Sequence, residues 1–330
     1  MSDLGVAGVR EVIEKALDWK RSTPGEHLRG KMLGMVFFNP SLRTRASFEA
    51  AMVRGGGNAI VLDVGAGVWK LEDREGAIMN ADKTEHIREA ASVLSRYVDM
   101  LAVRSFSNGI SDEEDEADGT ISGFRKYATV PVLSMESARE HPCQGLADLL
   151  TIREAFGDPK GLTVTLSWAP HVKPLPKAVP NSFLLTAAAA GCNIRVAHPR
   201  GFELHPPVLR QAQALAEESG GSINQCTDHR AALQGSHVLY AKSWGPSTSA
   251  YPEPSSWPTL IKNPAWMPTL KHFEEMVEDA VFLHCLPVRR NVEVADEVLD
   301  SPRSLVVDQA ENRFHVQRVL LDMLARGGKD

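Results

Sequence analysis

The chain has 330 residues, 43% of them hydrophobic and 24% charged, with a formal net charge of -6 and a pI near 6.0. That length exceeds one ordinary core, so two domains of roughly 150 residues each are expected, with a cleft between them. An acidic balance with no basic tail or arginine-rich stripe removes the electrostatic case for nucleic acid or an anionic membrane, which leaves small molecules as the expected ligands.

No apolar run approaches the roughly 20 residues needed to cross a bilayer, and residues 1–10 lack the basic-then-apolar order of a signal peptide, so a cytoplasmic protein is expected. Cys143, Cys192, Cys226 and Cys285 stand singly, without a Cys-x-x-Cys pair. Free thiols are expected, and neither a zinc site nor a disulfide framework.

Strand-length apolar runs recur at 35–38, 59–62, 100–103, 130–133, 162–166, 194–197 and 281–283. Helical patterns fill most of the gaps, at 43–53, 85–97, 145–156 and 181–190. Repeated strand-helix units predict parallel sheets, and the fold class is α/β with two doubly wound parallel-sheet domains. The 145–156 helix follows about half the strands and leads into a fresh one, so the boundary is placed there: domains 1–144 and 145–311. The acidic run 112–118 reads as a solvated surface loop, and 251–268, rich in Pro, Ser and Trp, as a long ordered loop.

The first stretch that carries chemistry is Phe37-Phe38-Asn39-Pro40-Ser41-Leu42-Arg43-Thr44-Arg45. A strand, a short turn and a helix start bearing a hydroxyl and two guanidinium groups form an anion cradle: free N–H groups and the helix dipole favour a phosphate, and arginine adds charge-assisted bonds. The Gly-x4-Gly-Lys-Ser/Thr loop of nucleotide triphosphate sites is absent. The second stretch, His141-Pro142-Cys143-Gln144, stands at a strand's carboxyl end ahead of a helix, where open α/β sheets bind ligands. The third, Leu283-His284-Cys285-Leu286-Pro287-Val288-Arg289-Arg290, runs an apolar strand into a proline turn with two arginines.

In that order and at those separations, the three motifs resemble the carbamoyltransferase family, from about Val36 to Ala310-Glu311-Asn312-Arg313 and the final helix. Ornithine carbamoyltransferases carry a Ser-Met-Gly loop after a late strand; here Val238-Leu239-Tyr240 is followed by Ala241-Lys242-Ser243-Trp244-Gly245. With Trp168-Ala169-Pro170-His171 and Gly67-Val68-Trp69-Lys70-Leu71-Glu72, that departure is similar to the N-acetylornithine and N-succinylornithine carbamoyltransferases, members that serve arginine biosynthesis.

The resemblance implies a role for each matching position. Ser41, Leu42, Arg43 and Thr44 would bind the phosphate of carbamoyl phosphate with Arg104, and Trp69 would reach it from a neighbouring subunit. His141 and Gln144 would hold the carbamoyl group, the carbonyls of Cys285 and Leu286 would accept from its NH2, and Arg313 would complete the site. Glu136, His171, Lys242, Leu286 and Arg289 would contact an N-acylornithine. Thr84 occupies a position where acetyl-type members carry Glu and succinyl-type members Pro; an uncharged side chain would not repel a succinyl carboxylate, which leans the reading to succinyl, with acetyl next. Glu293 stands where acetyl-type members carry a carboxylated lysine, and either pairs with Lys242 or forms a surface salt bridge. No cofactor and no metal are implied. A homotrimer with shared active sites is, as are a final helix (312–330) that rejoins the first domain and a knot at the proline-rich stretch 170–180.

The chemistry so implied is an amine attacking the carbamoyl carbon, with donors aimed at the carbonyl oxygen and the departing phosphate. No covalent intermediate is needed, so Cys285 shapes the site and is not a nucleophile. Two other classes stay open. A nicotinamide dehydrogenase would need Gly-x-Gly-x-x-Gly after a strand, which neither Gly55-Gly56-Gly57 nor Gly65-Ala66-Gly67 supplies. A non-catalytic carbamoyl phosphate sensor would keep Ser41 to Thr44 but have no use for Glu136, His171 and Lys242 together. An ornithine-specific carbamoyltransferase is the remaining alternative.

Overall fold

The computed structural model describes residues 3–22, 25–107, 112–246 and 264–327. The first half forms a parallel sheet of β1 (Met32–Phe37), β2 (Asn58–Asp63), β5 (Met100–Arg104) and β6 (Val132–Glu136), in the order β2-β1-β5-β6. A short parallel pair, β3 (Leu71–Glu72) and β4 (Glu85–His86), stands apart from it. The second half forms another parallel sheet from β7 (Thr163–Trp168), β8 (Asn193–Ala197), β9 (Ser222–Cys226), β10 (Val238–Lys242) and β11 (Val281–Leu283), ordered β11-β10-β7-β8-β9.

In each sheet the strand order reverses once, between β1 and β5 in the first and between β7 and β10 in the second. Open α/β sheets bind ligands outside the carboxyl ends of their strands at such a switch point. Register carries the relevant ends level: Phe37 lies opposite Arg104, and Trp168 opposite Lys242.

The strands form where apolar runs must be covered on both faces; all of β10 and all of β5 are buried. Covering them are α1 (Gly5–Arg21), α2 (Leu42–Arg54), α3 (Ile87–Leu94), α4 (Asp112–Ala117), α5 (Gly119–Tyr127), α6 (Pro142–Phe156), α7 (Ala178–Ala189), α8 (Pro206–Ser219) and α9 (His229–Leu233). The helix Val306–Gly327 comes last and packs on α1, α2 and α6. One apolar core consequently includes Leu33 and Met100 of the first sheet and Leu166 and Val196 of the second, joined through Leu146 and Leu150 of α6 and Val316 of the last helix.

Three expectations change. The acidic run is helical, not a loop: α4 occupies 112–117, where Glu116 pairs with Arg139 at 3.2 Å and His205 at 3.3 Å. The helix expected from 85 starts at Ile87, because Glu85 and His86 pair with Leu71 and Glu72. Helix α6, expected from 145, begins at Pro142, whose ring suits a first helical position. Of the expected 251–268 loop, all but its last residues lies outside the described residues; Pro264–Trp266 is a 3-10 turn.

Candidate active site

Between the two switch points lies a cavity of about 370 Å³. Its first wall starts at the β1–α2 turn. Ser41 caps α2 in an extended conformation (φ -156°, ψ 125°), and its hydroxyl accepts from the Thr44 N–H at 3.2 Å. Thr44 is fully buried, and its Oγ1 accepts from Arg313 Nη2 at 2.5 Å and from Arg104 Nη1 at 3.4 Å. Arg43 lines the same wall. Arg104 stacks on the Phe106 ring, Cζ 4.5 Å from its centroid, and the Asn39 side chain anchors that loop by accepting from the Phe106 N–H at 2.7 Å.

Three guanidinium groups, from Arg43, Arg104 and Arg313, thus converge beside a helix N-terminus. Burial works against the charge on Arg104 and Arg313, and repulsion from Arg43 adds to it in both, with Arg104 also acting on Arg313, while Glu136 offsets part of both. The Nε atoms of all three arginines have no hydrogen-bond partner. A dianionic ligand is the species that satisfies such a cluster.

Glu136, at the end of β6, accepts from Arg104 Nη1 at 2.5 Å and lies 3.4 Å from His141 Nε2. Burial raises the Glu136 carboxyl above its usual range, against the pull of Arg104, Arg313 and Lys242. The same burial, with Arg313 and Arg104 nearby, holds His141 well below its ordinary value, so the imidazole is neutral at pH 7. The His141 N–H donates to Ser182 Oγ of α7 at 2.6 Å, which fixes the entry into α6. Gln144, one turn on, is 1% exposed and lines the cavity.

The floor is the turn after β11. Leu286 adopts φ 54° ahead of a cis peptide to Pro287. A left-handed leucine is uncommon and is held here by its surroundings: its N–H donates to His284 Nδ1 at 3.0 Å. Cys285 is buried, and burial pushes its thiol up to about 11, consistent with a shaping role and not with a nucleophile.

The opposite wall is formed by His171, after β7, with Lys242, at the end of β10, and Arg289. Arg289 Nε donates to His171 Nε2 at 3.1 Å, and His171 Nδ1 lies 2.8 Å from the Lys173 carbonyl. Glu293 closes this side. It accepts from the Arg289 N–H at 2.7 Å and lies 3.8 Å from His284 Nε2. At 1% exposure it is no surface salt bridge, and its near partner is His284, with Lys242 acting on it only through the field.

Ser41, Arg43, Thr44, Arg104, Glu136, His141, Gln144, His171, Lys242, Cys285, Leu286, Arg289 and Arg313 therefore share one cavity. Four other positions do not join it. The Leu42 side chain is 78% exposed, leaving only its main chain to serve. Arg45, expected in the cradle, turns outward to Asp63 at 3.0 Å and Glu49 at 3.5 Å. Trp69, 60% exposed, and Thr84 sit together at the amino-terminal end of the parallel β3–β4 pair, where the Thr84 N–H donates to the Lys70 carbonyl at 3.3 Å. Sequence reading missed Asp148 and Gln309 beneath the cavity and gave no role to Phe106; a helix position and a loop aromatic carry no local signal of what they will touch.

Two parallel α/β sheets whose carboxyl ends line one cavity with a trio of arginines define an α/β protein with a cleft for an anionic ligand. The chain belongs to the aspartate/ornithine carbamoyltransferase family: it matches the carbamoyl-P binding domain over residues 1–154 and the Asp/Orn binding domain over 176–324. It is 39% identical to the N-acetylornithine carbamoyltransferase of Xanthomonas campestris pv. campestris, over 98% of this chain and 95% of that one. The N-succinylornithine carbamoyltransferase of Bacteroides thetaiotaomicron is also 39% identical, over 91% of this chain and 89% of its own length. The crystal structure of an N-acetyl-L-ornithine transcarbamylase variant complexed with carbamyl phosphate and N-succinyl-L-norvaline superposes with a TM-score of 0.94 at 38% identity, covering 98% of this chain and 97% of that one.

Proposed function

We propose that the enzyme moves the carbamoyl group of carbamoyl phosphate to the side-chain amine of an Nα-acylated ornithine, giving an N-acylcitrulline and phosphate, in arginine biosynthesis. The observation that carries this reading is the two-sided cavity: a cationic wall of Arg43, Arg104 and Arg313 faces a wall of His171, Lys242 and Arg289, across His141, Gln144 and the Cys285–Leu286 turn. The first wall suits a phosphate, and the second an acyl amino acid with a carboxylate.

Transfer needs the donor's carbonyl carbon held against a neutral amine, which by itself can account for much of a rate enhancement. Charge then moves onto the carbonyl oxygen and the departing phosphate, where the Thr44 hydroxyl and the guanidinium groups stand. Neutral His141 offers one N–H and adds no further cation beside the amine.

Residues 1–144 with the last helix form the carbamoyl phosphate half in this reading, and 145–311 the acyl-ornithine half; the last helix packs on α1 and α2 of the first half and on α6, which spans the boundary. The outward position of Trp69 supports a homotrimer in which this residue completes a neighbour's cavity. Thr84, bonded to the same strand pair, would then travel with it and meet the acyl group there. An uncharged Thr84 would not repel a succinyl carboxylate, which leans the reading to succinyl, with acetyl next.

The test is phosphate release and ureido product formation from carbamoyl phosphate with N-succinyl-L-ornithine, N-acetyl-L-ornithine and L-ornithine in separate reactions. Succinyl turnover is the expected result. Turnover of N-acetyl-L-ornithine alone removes the Thr84 argument and leaves the chemistry, whereas turnover of ornithine alone, or of none, overturns the reading.

A further inference from the structure

Asp148 lies one helical turn beyond Gln144 on α6 and is fully buried. Its Oδ1 accepts two hydrogen bonds, from Gln144 Nε2 at 2.7 Å and from Gln309 Nε2 of the last helix at 2.6 Å. With both bonds on Oδ1, which accepts whether the carboxyl is ionised or carries its proton on Oδ2, both amides turn their NH2 groups toward it and their oxygens away. The Gln309 oxygen then accepts from the His284 N–H at 2.9 Å, at the root of the Cys285–Leu286 turn. The Gln144 oxygen has no partner, although Gln144 is 1% exposed and lines the cavity. On the far side of Asp148 the Tyr240 hydroxyl faces both it and Cys285.

An unpaired buried acceptor at a ligand wall calls for a donor on the ligand. The carbamoyl group carries an NH2 where its near isostere, the acetyl group, carries a methyl. In the carbamoyl phosphate reading Gln144 already holds the carbamoyl group; we propose that Asp148 is a positioning residue that fixes the direction of its amide, oxygen toward the carbamoyl NH2, and that this fixed direction is how the site rejects isosteric acyl phosphates. This rests on the carbamoyl phosphate reading of the cavity. Without Asp148 the amide can invert and offer its NH2 to the ligand, and the distinction is lost. Sites built to hydrogen-bond a substrate N–H or O–H reject the analogue that lacks it far more strongly than apolar pockets reject a size change, because a buried polar group is left unpaired.

The experiment measures binding of carbamoyl phosphate and of acetyl phosphate to the full chain, in wild type and in the Asp148→Leu, Asp148→Asn and Asp148→Thr variants, with folding followed by thermal melting. Wild type is expected to favour carbamoyl phosphate by well over tenfold. Asp148→Leu should abolish most of that preference while acetyl phosphate affinity stays within about threefold, and Asp148→Asn, which keeps an acceptor oxygen, should restore it. Asp148→Thr has a hydroxyl that can donate to an inverted amide; it should cut the preference at least fivefold or so, and it decides the matter where the leucine variant fails to fold.

Equal weakening of both ligands in the leucine and threonine variants would mark a purely structural role and overturn the inference. So would an undiminished preference in either. Wild type that binds both ligands equally overturns this inference alone, whereas wild type that binds no carbamoyl phosphate overturns the reading beneath it.

Discussion

Glu293 sits behind His284 with 1% of its surface exposed, in a setting where burial alone would raise its carboxyl. His284, Lys242 and the Arg289 N–H outweigh that burial and hold it below the usual carboxylate range, so it stays charged and braces the Arg289 turn. Glu293→Gln is expected to raise KM for the acylated ornithine about tenfold with a smaller change in kcat, as steady-state kinetics will report. Asp148 behaves in the opposite sense: burial lifts its carboxyl from 3.8 to about 7, against the pull of Gln309, Gln144 and Tyr240. Between those values the native chain keeps a proton that the unfolded chain has released, so stability falls as pH rises and levels off above the native value. Relative to Asp148→Asn, wild type should lose up to about 1.4 kcal/mol per pH unit from pH 5 to 7 and nothing more above it, measured by thermal unfolding across pH. The strand-turn-helix around Ser41, Arg43 and Thr44 was legible in sequence because an anion cradle is a local object. The inward Glu293 and the Asp148 network were not, because burial and partner choice arise from segments as far apart as Asp148 and Gln309.

Helix α6 passes so close to α7 that a Cβ at Gly145 would lie 2.5 Å from Thr186 Oγ1 and 2.6 Å from the Ser182 carbonyl oxygen. The obstacle at Ser182 is backbone, so the helices themselves must part. Gly145→Ala should cost about 1–3 kcal/mol in urea unfolding. It should also lower kcat, since Ser182 Oγ holds the N–H of His141. Strands were the most readable elements: the apolar runs at 100–103 and 281–283 agree with β5 and β11 to within a residue. Helices α1 and α8 and strand β9 were not legible, β9 because Ser222-Ile223-Asn224-Gln225-Cys226 offers no apolar run on its half-exposed edge of the sheet. The acidic run misled because charge density speaks of solvent contact and not of backbone conformation.

At the scale of the molecule, the family expectation of a trimer makes Trp69 the residue to test. Sedimentation should give three chains, and Trp69→Ala should keep that state while losing at least about tenfold in kcat/KM. Mixing Trp69→Ala with Arg313→Ala chains should restore part of the activity, because some hybrid sites receive an intact residue from each parent. The last helix, Val306–Gly327, has a temporal meaning as well as a spatial one. It brings Arg313 to Thr44 and Gln309 to Asp148, yet in chain order it follows every strand of both sheets. A polypeptide whose last helix is not yet made can carry the Ser41 turn, but it lacks the third guanidinium and the Gln309 brace under the Cys285–Leu286 turn until translation has passed residue 313. Synthesis itself thus withholds the complete cavity, which first closes when both sheets have already been made.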